Sequence, residues 1–166
     1  MTAPVGGRRG EILPRFTLPA LDGSAVSLES YRGRRNLAVV LAADVIDESP
    51  VTALLRELRW REDQFTGEAA QVLVIVTSPS ITARRGPKSF PTLLDAEGRT
   101  HRVVGATDAA GQPAPAVFVT DRFGEIFSAH LPGDRSGLPS AKEILEWLVF
   151  INTQCPECGV PEWAPD

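Results

Sequence analysis

Apolar and polar stretches divide the chain into short predicted elements. A continuous apolar run at 37–43 is typical of a strand buried on both faces of a central sheet, and 71–77 is predicted to be a second buried strand. Between them a helical pattern starts at Ser49-Pro50, with serine as N-cap and proline in the first turn, and ends before Gly67. Its predicted apolar stripe is Val51, Leu54, Leu55, Leu58 and Trp60. Because strand, helix, strand requires a crossover, the two strands are predicted to be parallel.

Turn residues mark two hairpins around this unit. Asp22-Gly23 separates the short apolar stretches of 16–28, and 121–124 separates two strands at 116–120 and 124–129. We expect a short strand at 92–94, a helical turn at 100–104, and mainly loop at 78–90. The last helix, 140–152, begins with a capping box of Ser140 and Glu143. The predicted order is β-hairpin, β, α, β, loop, β-hairpin, α.

Composition and charge narrow the class of protein. The 166 residues are 43% hydrophobic and 23% charged, as in one soluble globular domain, and a net charge of -4 without a basic cluster argues against a nucleic-acid partner. No apolar run approaches membrane-spanning length and residues 1–10 lack a signal-peptide pattern, so we expect a cytoplasmic location and no membrane partner. The expected division is a mobile N-terminus at 1–10, a domain at 11–152 and an extension at 153–166.

Four segments together resemble the alkyl hydroperoxide reductase/thiol-specific antioxidant group of the thioredoxin-like superfamily, the peroxiredoxins and their thiol–disulfide reductase relatives. The segments are 13–28 with Asp22-Gly23, Tyr31-Arg32-Gly33 before the strand at Leu37, 90–98, and 115–121 with Gly124. The resemblance covers roughly residues 11–150. It implies an α/β thioredoxin-like fold, with a central mixed β-sheet flanked by helices and an N-terminal β-hairpin.

The chain departs from the family at the position of its chemistry. The family's reactive cysteine lies at the start of the helix after the first long strand, where unpaired N–H groups lower the pKa of a thiol. Here that stretch, 44–52, has no cysteine, and Glu48 and Val51 stand where a Cys-x-x-Cys pair would align with the helix. Ser49 and Thr52 lie at the substrate-facing position but cannot cycle between oxidised and reduced states. Pro115 matches the superfamily's cis-proline, which faces this site.

Both cysteines lie in the extension, in Cys155-Pro156-Glu157-Cys158. Three interpretations stay open: a redox dithiol, half of a metal site resembling the knuckle of zinc ribbons, and inert thiols or a surface disulfide. The end of a helix and nearby carboxylates raise the pKa of a thiol, which disfavours a nucleophile and favours a metal. A closed zinc site needs four ligands, which a symmetric dimer would supply. His101 and His130, the only histidines, are expected on the surface or in loops.

The resemblance places the redox interpretation first. It implies a peroxiredoxin-like redox protein, an antioxidant or thiol–disulfide oxidoreductase acting through Cys155 and Cys158, with peroxide or a protein thiol as partner. The alternative is a non-catalytic adaptor of thioredoxin fold that binds through the surface around Pro115. Its terminal cysteines would then bind zinc or bridge a homodimer. Whether the chain is an enzyme stays open, and no other cofactor is expected.

Overall fold

Residues 7–45, 48–79 and 90–154 are described by a computed structural model. The strands are β1 (Thr17–Pro19), β2 (Ala25–Ser27), β3 (Asn36–Ala43), β4 (Ala70–Val76), β5 (Thr92–Leu94), β6 (Ala116–Thr120) and β7 (Ile126–His130). The helices are α1 (Pro50–Trp60), α2 (Glu62–Gly67), α3 (Arg99–Val104) and α4 (Ala141–Thr153), and Leu28–Tyr31 forms a 3-10 turn.

A five-stranded mixed sheet in the order β5–β4–β3–β6–β7 forms the centre of the fold. The central strand β3, which is buried at every position, pairs in parallel with β4 and antiparallel with β6. β5 lies parallel to β4, and β7 antiparallel to β6. The predicted parallel pair and second hairpin are therefore confirmed. The N-terminal hairpin is confirmed as well, because β1 and β2 form a separate antiparallel pair.

The two faces of the sheet carry different layers. Side chains alternate along a strand, so Ala38, Val40 and Ala42 of β3 face the cluster that contains α1 and α4. Leu37, Val39 and Leu41 face the opposite cluster, which contains Val104 of α3 and Leu13. Continuous apolar sequence in β3 is explained by this double coverage, which leaves neither face to water. The result is the predicted α/β sandwich.

The helix after β3 is shorter than the sequence pattern predicts. α1 ends at Trp60, and α2 begins at Glu62 after a break at Arg61, whose φ is -107°. Trp60 is 88% exposed, so its assignment to the buried stripe was wrong. The reason is its spacing, because residues two apart on a helix point to different faces and Leu58 already occupies the buried one.

Serine side chains cap both long helices, as the sequence predicts. The N–H of Thr52 donates to Ser49 Oγ at 3.3 Å, and the N–H of Glu143 donates to Ser140 Oγ at 3.1 Å. Glu57 ties the two helices together, since its Oε2 accepts from the N–H of Ala141 at 3.0 Å. No helix within the described ranges has both the length and the hydropathy needed to cross a bilayer.

Candidate functional site

The N-terminus of α1 lies at the carboxyl end of β3, which is the position where the family resemblance places the site. β3 ends at Ala43, and α1 begins at Pro50. Pro115 lies at the same end of the sheet, because it directly precedes Ala116, which pairs with Leu41. The fold thus brings Ser49 and Pro115 to one end of the central strands. We call this end of the sheet the α1 end.

Ser49 and Thr52 bind each other at the α1 end. Their hydroxyl oxygens lie 2.9 Å apart, and Ser49 Oγ also accepts from the N–H of Thr52. Thr52 is 8% exposed, whereas Ser49 is partly exposed. The two hydroxyls therefore complete the cap of the helix. Neither can form a disulfide or be oxidised as a thiol is.

The peptide bond before Pro115 is trans, because no described peptide bond is cis. The expected cis-proline was wrong. A trans bond is the lower-energy isomer even before proline, so the local chain needs no special stabilisation here. Pro115 keeps its predicted place at the α1 end but not its predicted isomer.

A buried Asp–His pair lies behind the end of β3. His101 is fully buried on α3, so its expected surface or loop position was wrong. Its Nδ1 lies 2.7 Å from Asp95 Oδ2, and its Nε2 lies 3.1 Å from the N of Ala43. Since the main-chain N–H of Ala43 can only donate, Nε2 must accept. The proton of the neutral ring is therefore on Nδ1, which donates a hydrogen bond to Asp95 Oδ2. His130, in contrast, is partly exposed at the end of β7.

Hydrogen bonds from main-chain N–H groups hold the carboxylate of Asp95 in place. Asp95 Oδ1 accepts from the N–H of Thr100 at 3.2 Å, and Oδ2 accepts from the N–H of His101 at 3.0 Å. Burial lowers the pKa of His101 below its ordinary value, and this outweighs the opposing effect of Asp95. Burial also opposes ionisation of Asp95, but the hydrogen bonds from His101 and Thr100 outweigh it and lower the pKa of Asp95. At neutral pH the pair is a carboxylate beside a neutral imidazole.

Sequence reasoning missed this pair, although one signal was present. Asp95 precedes a Gly98 turn and a short helix, the arrangement in which a carboxylate accepts the first N–H groups of the helix. His101 and Val104 are three residues apart, and on a helix such residues share a face. Val104 is buried, so the same face buries His101.

The opposite end of the sheet carries the end of α4. Asn36, the first residue of β3, donates through Nδ2 to Asn152 Oδ1 at 2.8 Å. Asn152 Nδ2 in turn donates to the main-chain oxygen and to Oε2 of Glu68, each at 2.9 Å. These bonds fix the C-terminal turn of α4 at the amino end of β3. We call this end of the sheet the α4 end.

The predicted redox pair, Cys155 and Cys158, lies outside the described residues. Gln154, the last described residue, follows directly after α4. In the part of the chain that is described, no group of three or more histidine, cysteine, aspartate or glutamate side chains could hold a metal ion. The zinc hypothesis for the terminal cysteines remains a prediction.

The sequence matches a protein-family model, and the fold is similar to several solved structures. Residues 9–129 match the model of the AhpC/TSA family, more than half of the sequence. The chain therefore belongs to the AhpC/TSA family. No curated protein sequence matches it.

Solved structures show the same fold at low sequence identity. The reduced 2-Cys peroxiredoxin of Plasmodium vivax aligns with a TM-score of 0.73 at 16% identity, covering 87% of this chain and 81% of its own. AhpC of Mycobacterium tuberculosis aligns with a TM-score of 0.70 at 15% identity, covering 88% and 93%. A thiol peroxidase from Chromobacterium violaceum aligns with a TM-score of 0.69 at 24% identity, covering 90% of each chain. These likenesses establish the thioredoxin-like fold.

Proposed function

We propose that this chain is a peroxiredoxin-like redox protein whose thiol chemistry belongs to Cys155 and Cys158. One observation carries the proposal: the start of α1, where the family has its reactive cysteine, has none and begins with a serine that caps the helix, and the sequence has no cysteine besides these two. Membership of a family known for thiol chemistry favours a redox role. The partner would be a peroxide or a protein disulfide in a reducing compartment such as the cytoplasm.

Chain length separates Cys155 from the α1 end within one molecule. β3 has eight residues, and seven steps between them span about 23 Å. Asn152 is bonded to the first residue of that strand. Cys155 follows Asn152 by three residues, which extend over at most about 10 Å. Cys155 would therefore work nearer the α4 end and not replace a thiol beside Ser49.

The surroundings of the α4 end predict slow thiol chemistry. The last turn of α4 contains no basic residue, and the partial charge at the end of a helix is negative. The negative partial charge raises the pKa of a nearby thiol, no basic residue in this turn lowers it, and the thiolate fraction at neutral pH is small. We therefore expect disulfide exchange with a reactive partner rather than rapid reduction of peroxide.

Exchange activity in cysteine variants tests the proposal. We expect the wild-type chain to reduce a mixed disulfide, and Cys155→Ser together with Cys158→Ser to abolish this reaction. Ser49→Ala, at the other end of the sheet, is the matched control and should retain the wild-type rate. Exchange that survives the double substitution, or that the wild type never shows, contradicts the proposal.

The second candidate is a non-catalytic adaptor that binds a partner through the surface around Pro115. The engagement of Ser49 with Thr52 favours it, because the usual site has become a structural cap. In this case the terminal cysteines would bridge a homodimer or share a zinc ion between two chains. Metal analysis of protein purified without chelators tests the zinc form of this candidate. One zinc ion shared by two chains gives half a mole of zinc per mole of chain.

A further inference from the structure

Ala43 is the last residue of β3, from which the chain leads towards α1. Its φ is 52°, in the left-handed region that an alanine adopts only at an energetic cost. Here the regular pairing of β3 with β4 is interrupted, between Leu41 and Ala43. The oxygen of Ala43 accepts from the N–H of Thr77 at 2.9 Å, and its N–H donates to His101 Nε2. Ala43 is thus held by one main-chain hydrogen bond from Thr77 and one hydrogen bond to the side chain of His101.

We propose that the Asp95–His101 pair positions Ala43 at the end of β3: neutral His101 holds the N–H of Ala43, and protonation of His101 releases it. Asp95 fixes the tautomer that leaves Nε2 free to accept. The pair acts through the backbone of Ala43 and is a positioning device rather than a catalytic one. The proposal requires neither terminal cysteine, so it can fail or hold independently of the redox function.

Protonation removes the bond for a geometric reason. An imidazolium has N–H groups on both ring nitrogens and no acceptor. Nε2–H would then face the N–H of Ala43, and two donors 3.1 Å apart repel each other. The bond from Nδ1 to Asp95 persists, because a carboxylate accepts from either form of the ring. Only the contact to Ala43 depends on the proton.

The charged groups around His101 are few. In the described ranges, the groups that act on its pKa are Asp95, which follows β5, and Arg102 on α3 itself. β3 presents the backbone of Ala43, and Asp44, the next residue, is exposed. Asp95 favours the imidazolium, whereas burial and Arg102 oppose it, with burial the larger effect. The neutral form therefore persists to a pH below 6.5, the ordinary pKa of histidine.

The lowered pKa of His101 determines how the stability of the fold changes with pH. When the pH falls below 6.5, unfolded chains take up a proton at residue 101 before folded chains do, so stability decreases on acidification. The lowered pKa of Asp95 adds a second decrease below its ordinary 3.8. Release of Ala43 comes at the lower end of the first step, where folded chains take up a proton at His101.

Nitrogen NMR of the full-length wild-type chain tests the premise directly. At neutral pH we expect the proton of His101 on Nδ1, and the amide of Ala43 protected from hydrogen exchange. On acidification through the His101 titration, the protection factor of Ala43 should fall, whereas that of Val39 within β3 should not. A proton on Nε2, or equal loss of protection at Val39 and Ala43, would overturn the proposal.

Two variants separate positioning from mere packing. His101→Gln keeps an oxygen to accept from Ala43 and an amide to donate to Asp95 but does not titrate. Protection of Ala43 should therefore no longer fall over the pH range in which His101 of the wild type takes up its proton. His101→Phe removes the acceptor and should reduce protection of Ala43 about tenfold at neutral pH. If His101→Phe does not fold, the wild-type and His101→Gln titrations decide. An unchanged acid transition in His101→Gln contradicts the proposal.

Discussion

At each end of the central sheet the local electrostatics and the available side chains differ in what they favour. The α1 end has a helix N-terminus, which stabilises a thiolate, but offers the hydroxyls of Ser49 and Thr52. The α4 end leads to both cysteines of the chain, but a helix C-terminus disfavours a thiolate. The difference shows that a helix N-terminus suited to a thiolate can be present where the chain has no thiol.

The largest expected effect on reactivity comes from moving a single thiol between the two ends. In a chain with Cys155→Ser and Cys158→Ser, we expect the thiol of Ser49→Cys to react with iodoacetamide at pH 7 about tenfold faster than that of Thr153→Cys. Position 153 is exposed and position 49 only partly so. Better access of iodoacetamide therefore cannot explain a faster reaction at position 49. Equal rates at the two positions would contradict the predicted electrostatic difference between the ends.

The largest expected effect on stability comes from breaking the hydrogen bonds at the α4 end. Asn152→Ala should lower the free energy of unfolding by about 2 kcal/mol, because it leaves the amide of Asn36 without its partner. Asn36 is only 5% exposed, so water does not readily replace the lost bond. The neighbouring substitution Thr153→Ala is the control and should change stability by less than about 0.5 kcal/mol. Urea unfolding measures both, and similar losses in the two variants would argue against a role for Asn152.

The smallest effect concerns the cap at the α1 end. Ser49→Ala should lower the free energy of unfolding by about 1 kcal/mol through loss of the N-cap. Ser140→Ala, which removes the equivalent cap of α4, is the matched comparison and should cost about the same. A much larger loss at position 49 in urea unfolding would mean that Ser49 does more than cap the helix.

Elements with strong local signals could be predicted from the sequence. The apolar run of β3, the Asp22-Gly23 turn and the serine caps each depend on neighbouring residues, and the structure confirms them. The break at Arg61 was missed, because the apolar stripe of α1 gives no sign of where the next helix begins. Local pattern therefore specified most of the scaffold.

The candidate site was less predictable, since its contacts join distant parts of the chain. His101 and Ala43 are far apart in sequence and meet only because β5 lies beside β4, and β4 beside β3. A single histidine in a short helical turn carries no pattern that names its partner. The same holds for Asn36 and Asn152, which no periodicity connects.

The central position of β3 also shapes how the chain folds. Its antiparallel partner β6 comes late in the sequence, with Leu41 paired to Ala116, so one edge of β3 stays open until most of the domain has been synthesised. An uncharged, proline-free apolar segment with an open edge is prone to aggregate. Arg34 and Arg35 precede the strand and Asp44 follows it, all exposed in the folded protein. These charges flank the strand as gatekeepers that discourage nascent chains from pairing with one another.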